Sequence, residues 1–280
     1  MSTAPDLAAA AIALCEQRGF EFAGDLGKGA FKSAYLAKSP SDTFALKLAV
    51  VSGSPDRLIR ETAALQGCSH TGVARLFEAF PYRHGPLTLW VVLEEFLAGG
   101  TLAQRLVAGP LPPDEVRNIG QRLAEVLAHL HERRLVHRDI KPANVLFRAD
   151  GLPVLTDFGI VRMLDQPTLT HAFLAMGPGT PAYAAPEQLT NEKALIDWRT
   201  DQFDLAIVLA ECLTGHHPYL EKGKSIQEAI VAVSAKQEMP PSTQAELVTL
   251  GFGCLVQALK PWPISRYRKP AQFIDALKQS

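Results

Sequence analysis

The chain has 280 residues, 47% of them hydrophobic, which is enough apolar material for a packed core and argues against wholesale disorder. Lys and Arg number 28 against 29 Asp and Glu, a net charge of −1, so neither a broad basic nucleic-acid face nor a polybasic membrane anchor is expected. The length corresponds to one or two folding units. The four cysteines (Cys15, Cys68, Cys212 and Cys254) are widely spread, with no C-x-x-C pair and no zinc spacing, and read as buried thiols in a reducing compartment.

The longest apolar run, residues 7–15, falls well short of the roughly 18–20 residues of a membrane span. No Lys or Arg precedes it, Asp6 stands just before it, and Leu14 is not the small residue that a lipoprotein cleavage site wants before Cys15. The run reads as a first helix, with Ser2 or Thr3 as cap, Pro5 near its start and Gly19 just past its end. A cytoplasmic protein with no membrane segment is expected. Short strands follow over residues 20–25, 33–38 and 43–49, separated by glycine or polar turns. Ser54-Pro55-Asp56 opens a helix that puts Leu58, Glu61, Thr62 and Leu65 on one side. Glu61 therefore points where the apolar residues point, an unusual place for a carboxylate.

Residues 73–80 and 87–96 read as two more strands, and Ala98-Gly99-Gly100 as a hinge or linker. Helices then take over. Pro113 opens a long one carrying Val116, Ile119, Leu123, Val126, Leu127 and Leu130 at helical spacing. Residues 200–213 form a helix whose apolar positions nearly encircle it, so it is expected to be buried all round. Helices near residues 226–233, 247–259 and 270–277 complete the chain. Strands followed by helices imply an α+β protein in two lobes, with a boundary near residue 98.

The chemistry gathers between the two longest helices. There the chain reads Val136-His137-Arg138-Asp139-Ile140-Lys141-Pro142-Ala143-Asn144-Val145-Leu146, then Thr156-Asp157-Phe158-Gly159. Two acids and an amide among short apolar strands suit a metal–phosphate site, because Mg²⁺ takes hard oxygen ligands, one or two carboxylates and substrate phosphates. Asn144 and Asp157 can supply those ligands. Asp139 and Lys141, two apart in an extended loop, can face one substrate. Upstream, Gly27 and Gly29 let the backbone of a hairpin approach a phosphate, a signal that is weak alone. Lys47 breaks an apolar strand and is costly there unless paired, with Glu61 as the natural partner.

Taken together, these elements resemble the eukaryotic-type (Hanks-type) protein kinase family in its serine/threonine branch, with a bacterial-like kinase domain. The Gly27/Gly29 loop, Lys47, Glu61, the H-R-D-x-x-x-x-N loop from His137 to Asn144, and Asp157-Phe158-Gly159 come in the family's order. Gly179-Thr180-Pro181, Ala185-Pro186-Glu187, Asp201 and Arg266 follow in the same way. The resemblance covers residues 20–280. It implies a bilobal fold: a small lobe over 20–97 with an antiparallel sheet and one helix, and a larger, mainly helical lobe over 98–280, with residues 1–19 as a helical extension.

The resemblance also implies a set of roles. Lys47 would hold the α/β-phosphates of ATP and pair with Glu61. Gly27, Gly29, Glu95 and Leu97 would complete the nucleotide site, the last two in the hinge. Asp139 would orient the substrate hydroxyl and take its proton, Lys141 would steady the γ-phosphate, and Asn144 and Asp157 would bind Mg²⁺, with Mn²⁺ as an alternative. Lys141 and Gly179-Thr180-Pro181 resemble serine/threonine rather than tyrosine kinases. Glu187 and Arg266 resemble the family's structural ion pair, and Asp201 the brace under the catalytic loop. Arg138 would bind a phosphate on the activation segment, placed by autophosphorylation at Thr168 or Thr170 between two copies of the chain; the alternative is that Arg138 pairs with an acid such as Asp165. The protein substrate is not specified.

The chain departs from the family's pattern at three places. Lys32 replaces the third glycine of the loop, and Ala34 the valine that follows it. Glu94 falls at the gatekeeper position, usually apolar or threonine; either the alignment is shifted by one residue, or this carboxylate needs a partner or a raised pKa. Two other functions fit part of the pattern. A pseudokinase scaffold is opposed by the filled catalytic positions, and a small-molecule kinase of the aminoglycoside or choline type by residues 179–187 with Asp201 and Arg266.

Overall fold

The computed structural model describes residues 7–28, 32–51, 59, 62, 67–158 and 181–280. The expected α+β class is observed, and the chain divides into two compact units that meet in sequence at Ala98 and Gly99. Glu61, Gly29, Thr168, Thr170, Gly179, Thr180 and the first helix's candidate caps Ser2 and Thr3 lie outside the described residues.

In the first unit, helix α1 (Ala8–Arg18) precedes five strands: β1 (Glu21–Lys28), β2 (Lys32–Lys38), β3 (Thr43–Val50), β4 (Leu76–His84) and β5 (Leu87–Glu95). They form one antiparallel sheet in the order β1-β2-β3-β5-β4. Alternation along the central strands separates two faces. Tyr35, Ala37, Phe44, Leu46, Leu48, Leu89, Val91 and Leu93 line one face, and α1 covers it with Ala10, Ala11, Leu14 and Cys15. The other face carries Lys47, Trp90, Val92 and Glu94. β4 begins at Leu76, three residues later than the pattern suggests, and as an edge strand it tolerates Pro81. The apolar run at the start of the chain is thus a core element of its unit, ended by Gly19 at φ +67.

The second unit begins with Gly99. A Cβ there would stand 2.6 Å from the carbonyl oxygen of Phe147, so only glycine lets the backbone make its 2.8 Å N–H bond to that oxygen. At the point where the two units divide, this residue is held to the strand beside it. Helices α2 (Leu102–Leu106) and α3 (Pro113–Glu132) lead to a two-stranded ladder, β6 (Val145–Phe147) with β7 (Pro153–Leu155). The short helix α4 (Pro186–Leu189) precedes α5 (Trp198–Thr214). α5 is buried on all sides, as its apolar pattern requires, and starts two residues early because Asp197 caps it by accepting from the Arg199 N–H at 2.8 Å. Then come α6 (Ile226–Ser234), α7 (Pro241–Thr249), α8 (Gly253–Ala258) and α9 (Pro270–Lys278). The single helix expected over 247–259 is two helices. Gly251, at φ +86, breaks the run after α7.

Candidate active site

The loop between α3 and β6 is built on buried polar anchors. Both oxygens of Asp201, in the first turn of α5, accept loop amides: Oδ2 from His137 N at 2.7 Å and Oδ1 from Arg138 N at 2.8 Å. Burial pushes this carboxyl up to about 7, while the two N–H groups favour its charge and pull the other way. His137 is fully buried and spends both ring nitrogens. Nε2 donates to the Thr156 carbonyl at 3.0 Å and Nδ1 accepts from the Asp139 N–H at 3.2 Å, the pattern of a neutral imidazole. Its ring lies 4.7 Å from that of Phe158. Arg138 and Asp157 both hold positive φ, +66° and +62°, a strained setting for non-glycine residues that the anchors around them sustain.

These anchors present one carboxylate. Asp139 Oδ2 accepts from Lys141 Nζ at 2.8 Å and from Asn144 Nδ2 at 2.9 Å, and the same amide nitrogen donates to the Asp139 carbonyl at 2.7 Å. The turn Pro142–Asn144 closes with Asn144 N–H to Lys141 O, and so brings Asn144 back onto Asp139. The β6–β7 ladder sets Val145 opposite Leu155 and continues as a 3.0 Å bond from Thr156 N–H to Asn144 O. Asn144 and Asp157 therefore leave the same end of one ladder. Among the described residues no cluster of three or more His, Cys, Asp or Glu can hold a metal ion by itself. The hard oxygens of Asn144 and Asp157 instead fit Mg²⁺ that takes its remaining ligands from phosphate and water.

Beneath the loop lies a second buried network. Glu187 and Arg266 form a two-pronged ion pair, Nη1–Oε1 2.7 Å and Nη2–Oε2 3.0 Å, with both side chains fully buried. Gln188 ties this region to the loop, its Nε2 donating to the Arg138 carbonyl at 2.9 Å and its Oε1 accepting from Ala185 N–H at 3.1 Å. Asp204 Oδ1 accepts from the same N–H at 3.0 Å. Sequence reasoning passed over Gln188 and Asp204. Asp204 was findable, as a second carboxylate one turn after Asp201 in a helix whose apolar positions nearly encircle it; Gln188 gave no such signal.

In the first unit, Lys47 stands on β3 opposite Val92, with Ala34 opposite it on the other side. Its ammonium pairs with Glu94 of β5. The carboxylate at the unusual position thus has the partner it needs. Gly27, at φ +131, lies beside an irregularity in the β1–β2 register and donates its N–H to Asp25 Oδ1 at 2.6 Å. Glu95 closes β5, donating its backbone N–H to the Arg75 carbonyl at 2.8 Å, and Leu97 is buried beyond it.

Comparison with known proteins bears directly on this arrangement. The protein kinase domain family matches residues 20–261. A CBL-interacting protein kinase 4 of Oryza sativa is 34% identical over 211 residues, covering 71% of this chain and 45% of that protein. The serine/threonine-protein kinase PknF of Mycobacterium tuberculosis is 33% identical over 280 residues, 92% of this chain and 56% of the relative. The serine/threonine-protein kinase PrkC of Bacillus subtilis is 33% identical over 164 residues, 58% of this chain and 24% of PrkC. The chain spans about half the length of the first two.

Proposed function

This chain belongs to the protein kinase family, and we propose that it transfers the γ-phosphoryl group of ATP to serine or threonine hydroxyls of protein substrates. The observation that carries this reading is the Asp139 carboxylate, held by Lys141 and Asn144 on a loop anchored to Asp201. In the step proposed, Asp139 orients the hydroxyl and receives its proton. The hydroxyl oxygen bonds to the γ-phosphorus as the bond to the β–γ bridging oxygen breaks, and ADP leaves. Lys141, already an ion-pair partner of Asp139, neutralises the γ-phosphate, and Lys47 holds the α/β-phosphates with Glu61 as an expected partner. Gly27 and Gly29 would admit the phosphates close to the backbone, with Glu95 and Leu97 contributing to the nucleotide site. When bound through Asn144 and Asp157, Mg²⁺ (or Mn²⁺) would offset charge on the phosphates.

Control is proposed to act through Arg138, whose backbone is fixed by Asp201 and Gln188. A phosphate on Thr168 or Thr170, placed by a second copy of the chain, would add about −1.5 to −2 charge for its guanidinium. A cytoplasmic setting is part of the proposal: the four cysteines are free thiols, and no helix among the described residues is long and apolar enough to cross a membrane. Incubation with labelled ATP and Mg²⁺, followed by mass-spectrometric mapping, tests the regulatory part. Phosphate at Thr168 or Thr170 and weaker activity in the Thr168→Ala/Thr170→Ala variant are expected. Both threonines unmodified in active protein, with a fully active double variant, would remove the switch and leave the transferase reading standing.

A further inference from the structure

The Lys47–Glu94 pair is built into the sheet. β3 and β5 are neighbouring inner strands with an unbroken register over Phe44–Val50 and Leu89–Glu95, in which Ala45 faces Glu94 and Lys47 faces Val92. Lys47 and Glu94 are therefore diagonal neighbours on one face, a separation that long side chains bridge. The lysine side chain is 13% exposed and the carboxylate 8%, so both charges have left most of their water. An apolar residue at position 94 would avoid that desolvation, and a buried ion pair is weak evidence for stability. A charge retained here is better accounted for by what it does to the lysine.

We propose that Glu94 is a positioning residue for Lys47: a carboxylate carried by the sheet that holds the ammonium in place for the nucleotide phosphates. The proposal rests on the reading of Lys47 as the phosphate-binding lysine. Its consequence is specific. The orientation of Lys47 is set by strand register, so it no longer depends solely on where the helix bearing Glu61 stands. Glu94 acts through Lys47 and touches no reacting atom.

The test is a set of variants of the full chain, with affinity for a non-hydrolysable ATP analogue and Mg²⁺ measured by titration, steady-state kinetics alongside, and rates expressed per folded molecule from unfolding curves. Glu94→Gln, which keeps shape and removes charge, is expected to raise KM for ATP about 10–100-fold, the scale of one charge-assisted hydrogen bond. KM for the protein substrate should hold within about twofold. Glu94→Asp should recover most of the loss. In the Lys47→Met background, Glu94→Gln should change analogue affinity by less than about twofold, because its route of action is gone. Wild-type KM for ATP in Glu94→Gln, or an equal loss of affinity in the Lys47→Met background, would overturn the proposal while leaving the transferase reading intact. A wild-type chain that transfers no phosphoryl group would overturn that reading and this proposal with it.

Discussion

Arg266→Met is expected to be among the most destabilising single exchanges in the second unit, and the donor count shows why. A guanidinium has five N–H donors. Here Nε donates to Lys260 O at 2.7 Å, Nη1 to Glu187 Oε1 at 2.7 Å and Arg199 O at 2.9 Å, and Nη2 to Glu187 Oε2 at 3.0 Å and Pro261 O at 2.9 Å. The guanidinium also lies 4.5 Å from the centre of the Phe203 ring. Removing it leaves Glu187 as a fully buried charge whose remaining donor, among the described residues, is the Thr200 hydroxyl at 2.9 Å. Breaking such a pair from one side costs about 3–5 kcal/mol. A domain holds about 5–15 kcal/mol in all, so a large part of the stability goes. Arg266→Lys is no rescue, because three ammonium donors cannot serve five acceptors. Pairing Arg266→Met with Glu187→Met removes the orphan charge, so the double variant should be less destabilised than the two single losses added together. Urea unfolding of the four proteins measures this. An Arg266→Met variant within about 1 kcal/mol of wild type, or strictly additive losses, would show that Glu187 is not left as a costly buried charge.

Two further predictions concern the same unit. His217 donates from Nε2 to Ala182 O at 2.7 Å and accepts at Nδ1 from Tyr219 N–H at 3.2 Å, so a second ring proton would meet a donor; burial pushes its pKa down to about 4. Between pH 4 and 6.5 the folded state then binds fewer protons than the unfolded chain. The stability from His217 is complete above about pH 6.5 and falls away as pH drops towards 4, by roughly 3 kcal/mol. Unfolding free energies from urea titrations at pH 7.5 and 4.5 should diverge by about 2.5 kcal/mol more for wild type than for His217→Gln, and equal divergence would place the acid sensitivity elsewhere. Gly99→Ala sets a Cβ 2.6–2.8 Å from three atoms of Phe147 and Arg148, two of them carbonyl oxygens, and should cost about 1–3 kcal/mol; a neutral exchange would contradict the clamp.

The family and the shape of the loop from His137 to Asn144 were legible because their signals are local. The order of His137, Asp139, Lys141, Asn144 and Asp157 lies in one short stretch, and the turn Pro142–Asn144 with the β6–β7 ladder needs few residues to fold it. What was hard to read depends on partners distant in sequence. At Glu94 the sequence left a one-residue shift and a carboxylate in need of a partner both open; the partner, Lys47, is 47 residues away and becomes its diagonal neighbour only in the β3–β5 register. Gln188 serves a carbonyl 50 residues upstream, and nothing in its own neighbourhood marks it. Helix ends failed for a related reason: α5 gains its first turn from the Asp197 cap, and the run after residue 247 breaks at Gly251, whereas apolar spacing alone passes smoothly through both. The linker read at Ala98-Gly99-Gly100 falls where the two units divide, but that Gly99 serves close approach to Phe147 depends on a partner 48 residues on, which local spacing does not reveal.

Asp139 is proposed to carry phosphoryl transfer in this chain of the protein kinase family. Asp139→Asn keeps an oxygen for Lys141 and Asn144 to bond but cannot take the hydroxyl proton. The decisive measurement is incorporation of labelled phosphate from ATP, with Mg²⁺, into a generic serine- and threonine-rich protein substrate by wild type and by this variant, each shown to be folded by its urea transition. Robust transfer by the wild type and a rate about 10²–10⁴-fold lower for Asp139→Asn are expected. A folded variant that transfers phosphate at the wild-type rate would contradict the role proposed for Asp139.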